Sequence, residues 1–233
     1  MIASLGAVTP GKWTGYARDL QEAGAAAIEL NVYYLPGDPR VTGREVEQRH
    51  VDVLAAVKDA VSVPVAIKLA PNFSSLGEVA LRLDEAGADA LVLFNRFLQP
   101  DIDAESLTVE PALSLSSPVD GLAPRTWIAL LRSHIRGALA GTGGVEDGAD
   151  VAKYLLAGAD VVMSASALLR HGPAHAATLL EELEAWMSRK GFTAVSDLRG
   201  LLAAPPGTDQ AAHERAGYVN ALRAANVGAY VAW

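Results

Sequence analysis

The chain has 233 residues, 51% of them hydrophobic and 20% charged, with a formal net charge of −8 and no cysteine. That length and composition fit one soluble domain with a substantial core, and the interspersed acidic and basic residues exclude a basic nucleic-acid groove or attraction to an anionic membrane surface. Without cysteine there is no disulfide, no thiolate metal site and no thiol nucleophile, a composition that fits the reducing cytoplasm. No apolar run approaches a membrane span, and MIASLGAV has no basic stretch followed by a long apolar one, so it does not read as a signal peptide.

In chain order, residues 2–5 read as a strand and 12–23 as a helix. Residues 27–30 form a second strand, and YYLPGDPRV at 33–41 is a loop because Pro36, Gly37 and Pro39 forbid regular structure. A helix follows over 44–60, with Val46, Val53, Leu54 and Val57 on its apolar face. Then come a strand at 63–69 ending at Pro71, a helix at 76–86 and a strand at 90–94. Residues 98–123 form a loop too long for mere connection. A helix at 127–136 leads into ALAGTGGVEDGADVAKYLLAGADVVMSASALLR, residues 138–170. That stretch reads as a strand, a glycine turn at Gly141–Gly144, a helix opened by Asp147 or Asp150 and closed by Gly158, a strand at 160–164 and a short helix. A helix near 174–189 ends the regular part.

An echo runs through these units. EAGAAAIELN, EAGADALVLFN and LAGADVVMSAS each end a helix at Ala-Gly-Ala, run a short apolar strand and finish on a polar residue. The apolar runs suit parallel strands covered on both faces, and the alternation implies βαβ units. The expectation is an α/β TIM-type (β/α) barrel over residues 1–189, incomplete at its N-terminal side with about six of eight βα units, and a tail over 190–233 that packs on the barrel or extends from it.

In such barrels the chemistry gathers at the carboxyl ends of the strands. Those ends here carry Ser4, Asn31, Lys68, Asn95, the Gly141–Gly144 turn and Ser164–Ser166. Lys68 stands in VPVAIKLAP, where an unpartnered cation is costly; it either snorkels to solvent or faces an anionic or electron-accepting ligand. Asn31 and Asn95 hold matching points of the echo. Each either caps its loop or offers amide donors and an acceptor to a planar heterocycle. The glycine turn and the Ala165–Ser166 turn close adjacent parallel strands and direct free backbone N–H groups to one place, which suits a phosphate. His50, His134, His171, His175 and His213 show no metal-ligand spacing and read as surface or helix-end residues; Trp127, Trp186 and Trp233 read as core or tail packing.

ELNVYYLP, VPVAIKLAPNF, LVLFNRF, GTGG and SASALL, in that order, resemble the dihydroorotate dehydrogenase family, most of all its actinobacterial-type dihydroorotate dehydrogenase-like members, and KGFTAVSDLRG resembles the end of such enzymes. The resemblance implies an FMN-dependent barrel that oxidises dihydroorotate to orotate in pyrimidine synthesis. It implies that Lys68 contacts the flavin pyrimidine edge, that Asn31 is shared between flavin and substrate, and that Asn95 binds substrate. Gly143, Gly144, Ala165 and Ser166 would hold the FMN phosphate. The family carries Cys or Ser in the loop after the first asparagine, in a pattern like N-x-S-C-P-N. This loop has neither; Tyr34 falls near the base position, and a phenol with a pKa of about 10 is a poor base at neutral pH. The family also has two further N-terminal βα units, so this chain would start at its third strand. Dimers are common there, so the resemblance extends to a homodimer with a dihydroorotate-like small-molecule substrate, the tail after Lys190 being a candidate for the interface. The residues alone leave two other readings open: a non-catalytic remnant or interaction protein, and a different phosphate-binding barrel using Lys68 as an acid/base or Schiff-base residue.

Overall fold

The computed structural model describes residues 1–7, 9–96, 100–110 and 114–208, with 215, 217–219, 222 and 223. These fall into two compact units, Met1–Ala203 and Ala204–Trp233. In the second unit, the Thr208 hydroxyl donates to the Pro205 carbonyl at 2.7 Å.

The first unit alternates strands and helices: β1 (Ile2–Leu5), α1 (Pro10–Glu22), β2 (Ala27–Asn31), α2 (Gly43–Lys58), β3 (Val65–Leu69), α3 (Leu76–Glu85) and β4 (Ala90–Leu93). After a two-stranded ribbon, β5 (Asp101–Asp103) and β6 (Thr108–Glu110), come α4 (Leu122–Leu131), β7 (Ala138–Thr142), α5 (Gly148–Ala157), β8 (Val161–Met163), α6 (Ser166–His171), α7 (His175–Lys190) and α8 (Val195–Leu198). Strands β1-β2-β3-β4-β7-β8 form one sheet with every neighbour parallel. The chain is thus an α/β half-barrel of six parallel strands, as the alternation of its sequence requires.

The strands alternate in what they bury. Ile28 and Leu30, Val65, Ile67 and Leu69, Leu91 and Leu93, and Leu139 are sealed in the main core beneath the helices. The intervening positions, which include Ser4, Glu29, Asn31, Lys68 and Thr142, stand on the opposite, inner face of the sheet. Burying these aliphatic side chains stabilises the sheet by roughly 1.5–3 kcal/mol each before chain entropy is subtracted. A smaller cluster, Ala152, Leu155, Leu183 and Leu198, joins α5, α7 and α8. The chain after Lys190 continues against α5, where the amides of Gly200 and Leu202 donate to the carbonyls of Leu155 and Leu156, each at 2.9 Å.

In two of the three copies of the echo an aspartate follows Ala-Gly-Ala, and it has a mechanical meaning. Asp89, just before β4, accepts from the Val65 amide that opens β3, at 2.7 Å, and pairs with Lys58. Asp160, just before β8, accepts from the Leu139 amide in β7 at 2.9 Å and pairs with Arg132 and Arg199. Each aspartate fastens its strand to the neighbouring one at the end away from the polar residues. Of the two aspartates that could open α5, Asp147 is the cap, accepting from the Asp150 amide at 2.8 Å. Asp150 is buried and pairs with Arg125 and Lys153.

Four expectations need correction. The helix expected at 127–136 runs from Leu122 to Leu131, because Pro124 sits in the first turn, where a missing amide breaks no helical bond. The loop expected at 98–123 contains the β5–β6 ribbon, a 3-10 turn at Pro118–Gly121 and the start of α4; Phe97, Leu98, Gln99, Pro111, Ala112 and Leu113 lie outside the described residues. The strand expected at 63–69 begins at Val65. His50 is not a surface residue: it is 1% exposed on the apolar side of α2, edge-on to Phe73 with ring centroids 5.1 Å apart. Trp127 packs against the main core, and Trp186 stacks on Phe192 at 5.8 Å. His213 and Trp233 lie outside the described residues.

Candidate functional site

A cleft of about 370 Å³ opens where β3, β4, β7 and β8 end. Its lining includes Lys68, Asn95, Arg96, Gly143, Gly144, Ala165 and Ser166. Six of the eight residues singled out from the sequence therefore share one cavity. Asn31 reaches it through Asn95, whose amide Nδ2 donates to Asn31 Oδ1 at 2.5 Å. Tyr34 is not among the lining residues; its ring lies against the Arg49 guanidinium, 4.0 Å from carbon to ring centroid.

At one end of the cleft stands Lys68. Its side chain is only 18% exposed, and its Nζ lies 3.8 Å from Glu29 Oε1. It therefore does not snorkel to solvent: the parallel register sets Lys68 beside Asn31 and Ala66 beside Glu29, so the lysine reaches back along the inner face toward the carboxylate. Glu29 is buried and accepts from the Ser4 hydroxyl at 2.9 Å.

At the other end are two backbone turns. Gly143 and Gly144 adopt φ of +102° and +64°, left-handed values that a side chain rarely takes. A Cβ on Gly144 would fall 2.5 Å from the Ser117 carbonyl oxygen and 2.6 Å from the Gly121 nitrogen, so the 3-10 segment packs directly on the turn. The amides of Gly143, Gly144, Ala165 and Ser166 donate to no other described residue. The Ser166 hydroxyl is engaged, accepting from the Ser116 amide at 2.9 Å and lying 2.8 Å from the Ser116 hydroxyl. Arg170 holds the Ser116 carbonyl and pairs with Glu146. The turn rests on Tyr154, whose hydroxyl donates to the carbonyls of Thr142 and Gly143 at 3.1 and 2.7 Å. Burial pushes the Tyr154 phenol well above its ordinary pKa, so it stays a donor.

The cleft thus joins a cation and an amide pair at one end to unpartnered backbone amides at the other. The sequence pattern of dihydroorotate dehydrogenase matches residues 13–187. The chain belongs to the dihydroorotate dehydrogenase family.

Its family relatives include the catalytic subunit of dihydroorotate dehydrogenase B (NAD(+)) from Methanothermobacter thermautotrophicus, 35% identical over 210 residues that cover 86% of this chain and 68% of that one. The corresponding subunit from Bacillus mycoides is 30% identical over 154 residues, 64% of this chain and 49% of the relative. Subunit PreA of the NAD-dependent dihydropyrimidine dehydrogenase of Escherichia coli is 27% identical over 215 residues, 86% and 52% of the two chains. The matched regions therefore span about half to two thirds of these family members.

Sequence reasoning missed three charged groups around this family member's cleft. Glu29 gave the same signal as Lys68, a charge inside an apolar strand, and stands two residues before Asn31 on the same face. Arg96 and Asp120 line the cleft 3.7 Å apart, with Arg96 donating to the Ser114 hydroxyl at 3.0 Å and Asp120 accepting from the Ser117 amide at 2.7 Å. Asp120 lies in the long loop, whose composition gave no sign that it folds back onto the glycine turn. Among the described residues no cluster of His, Asp or Glu could hold a metal ion, and no helix is long and apolar enough to cross a membrane.

Proposed function

We propose that this chain binds FMN in the cleft and is the catalytic barrel of a flavin-dependent oxidoreductase acting on a small cyclic substrate of the dihydroorotate or dihydropyrimidine type. The observation that carries the reading is the two-ended cleft. An anionic phosphate matches the four free amides at the ends of β7 and β8. A planar ring with an imide edge matches the ammonium of Lys68 and the amides of Asn31 and Asn95. The names of the family relatives, which include dihydroorotate and dihydropyrimidine dehydrogenases, favour that substrate class.

Bound there, the flavin supplies the hydride acceptor; the chain supplies position and charge. The Gly143–Gly144 turn, stiffened by Tyr154, and the Ala165–Ser166 turn grip the phosphate. Lys68 offers positive charge where a reduced ring gathers negative charge, Asn31 is shared between ring and substrate, and Asn95, whose amide donates to Asn31, presents hydrogen bonds to the substrate. The Ser116–Ser166 contact keeps the loop over the phosphate end. No residue in the loop after Asn31 is assigned the proton transfer, since neither Cys nor Ser occurs at 32–36.

The test is a visible-absorbance titration of the purified chain with FMN and with riboflavin. The expected result is one FMN per chain, riboflavin bound at least about 100-fold more weakly, and Lys68→Met weakening FMN by about tenfold; each 1.4 kcal/mol lost is a factor of ten. Equal affinity for FMN and riboflavin, or no binding of either, overturns the proposal. A different phosphate-binding barrel using Lys68 as a Schiff-base residue is disfavoured by position, because the lysine is turned toward the buried Glu29 carboxylate, 3.8 Å away, instead of standing free in the cleft.

A further inference from the structure

The buried carboxylate of Glu29 has no part in the roles given above, yet it is among the least exposed charged groups of the half-barrel. It is 5% exposed, stands on the inner face between Ser4 and Lys68, and has the Ser4 hydroxyl fixed on Oε1 at 2.9 Å. An ionised carboxylate in such a place is costly unless it is paired, and among the described residues the cation that pairs with it is Lys68, 3.8 Å away. The pairing is diagonal across two parallel strands, so it bends the lysine away from the cleft mouth and down toward the floor.

We infer that Glu29 is the positioning residue for Lys68. Tethered by Ser4, it draws the ammonium to the floor of the cleft and offsets part of its charge. A free lysine at this point would present its full charge on a mobile stem; the tethered one presents a partly compensated charge at a fixed place. The consequence for a ligand rests on the flavin reading given above: the Ser4–Glu29–Lys68 chain sets how much more tightly the site holds a reduced, anionic ring than an oxidised, neutral one.

The first experiment needs no flavin. The intact chain is labelled by reductive methylation, which consumes only the neutral amine, and each lysine is followed by peptide mass spectrometry. Glu29→Gln removes the charge that holds the ammonium at the floor of the cleft, so the stem is freed toward the mouth and labelling of Lys68 is expected to speed by about three- to tenfold. Lys58 and Lys153, paired with Asp89 and Asp150, are internal controls and keep their rates. A rise confined to Lys68 supports the inference; an unchanged Lys68, or a rise shared by all three lysines, overturns it. Ser4→Ala removes only the tether and gives a smaller rise with the same selectivity, which keeps the test decisive if Glu29→Gln does not fold.

The second experiment measures the affinities for oxidised and reduced FMN. Removing the compensating negative charge is expected to raise the preference for reduced FMN about tenfold, an upward shift of about 30 mV for a two-electron couple. An unchanged preference overturns the tuning role. If Lys68 labels faster in Glu29→Gln while the unmutated chain binds no FMN, the positioning role stands and the flavin reading falls.

Discussion

Asn95 Nδ2 donates to Asn31 Oδ1 at 2.5 Å, across the end of the strand that lies between theirs. The bond closes a bridge over β3: the Asn95 backbone amide is held by the Leu69 carbonyl at 2.7 Å, and Asn31 is in register with Lys68. Two residues that hold equivalent places in a repeated sequence pattern thus orient one another, and each fixes which face of the other's amide is free for a ligand. Removing either amide strands its partner in a half-buried site. Asn31→Ala and Asn95→Ala are each expected to cost about 0.5–1.5 kcal/mol in denaturant unfolding of the ligand-free chain, and the double variant to cost clearly less than their sum. Full additivity would mean that the two amides act independently.

Gly141, in β7, leaves no room for a side chain. A Cβ there would lie 2.2 Å from Tyr154 Cδ1 and 2.6 Å from Cε1, and both groups are buried. Gly141→Ala must displace the Tyr154 ring, and with it the hydroxyl that holds the carbonyls of Thr142 and Gly143. The expected loss is about 1–3 kcal/mol from overpacking. The phosphate end should suffer beyond the change in stability: FMN affinity is expected to fall by about tenfold or more at temperatures where the variant remains folded. Tyr154→Phe, which removes the hydroxyl without the clash, is expected to give a smaller loss of both, about 1 kcal/mol of stability. A Gly141→Ala variant with unaltered stability would refute the packing argument.

How much of this was legible in the sequence depended on whether a residue's neighbours in space were also its neighbours in a pattern. The six strands could be read because short apolar runs such as VAIKL and ALVL, set between helical stretches, seal at least one face in the core, and the glycine turn because its amides and the strand before it are contiguous. His50 was misread although the signal existed: it stands four residues after Val46 and three before Val53, on the same helical stripe. Glu29 was passed over although it shares a face with Asn31. The β5–β6 ribbon gave no signal at all. Its strands have three residues each and leave Ile102 and Val109 exposed, so no burial period marks them. The docking of Ser116 and Asp120 onto the cleft depends on contacts made far along the chain, to Ser166 and Arg96, which local composition does not encode.

Tyr34 follows Asn31 by three residues, but its ring is covered by Arg49 and the residue does not line the cleft. A neighbouring guanidinium and a half-buried ring give it a packing role that phenylalanine can also fill. Tyr34→Phe is therefore expected to leave FMN affinity unchanged and, in whatever turnover the loaded protein shows, to lower kcat by less than about threefold. Loss of a positioned general base costs about 100-fold or more. A loss of that size, with FMN affinity intact and a pH profile that loses one limb, would make Tyr34 the base.

His50 makes a prediction about pH that is independent of any ligand. Its Nδ1 is 2.8 Å from the Val46 carbonyl, and its Nε2 is buried with no hydrogen-bond partner among the described residues. Burial holds the imidazole below its ordinary value of 6.5, against the opposing pull of the Val46 and Val32 carbonyls. A histidine whose folded pKa is depressed binds its proton more readily in the unfolded chain. Its contribution to stability is therefore complete above the unfolded value and is lost as pH falls from there to the folded one. Unfolding free energy is expected to decline as pH drops below about 6.5, before the carboxylates begin to protonate near pH 4. His50→Leu should flatten that part of the curve, and it should hold or raise stability at pH 7 by replacing an unsatisfied buried nitrogen with an apolar side chain beside Phe73. Because His50 also borders Val32, the residue after Asn31, protonation would disturb the start of the loop at the cleft's amide end. The check is a urea titration at half-unit steps from about pH 4.5 to 8 for both chains; parallel curves for the two would remove His50 as the source of the slope.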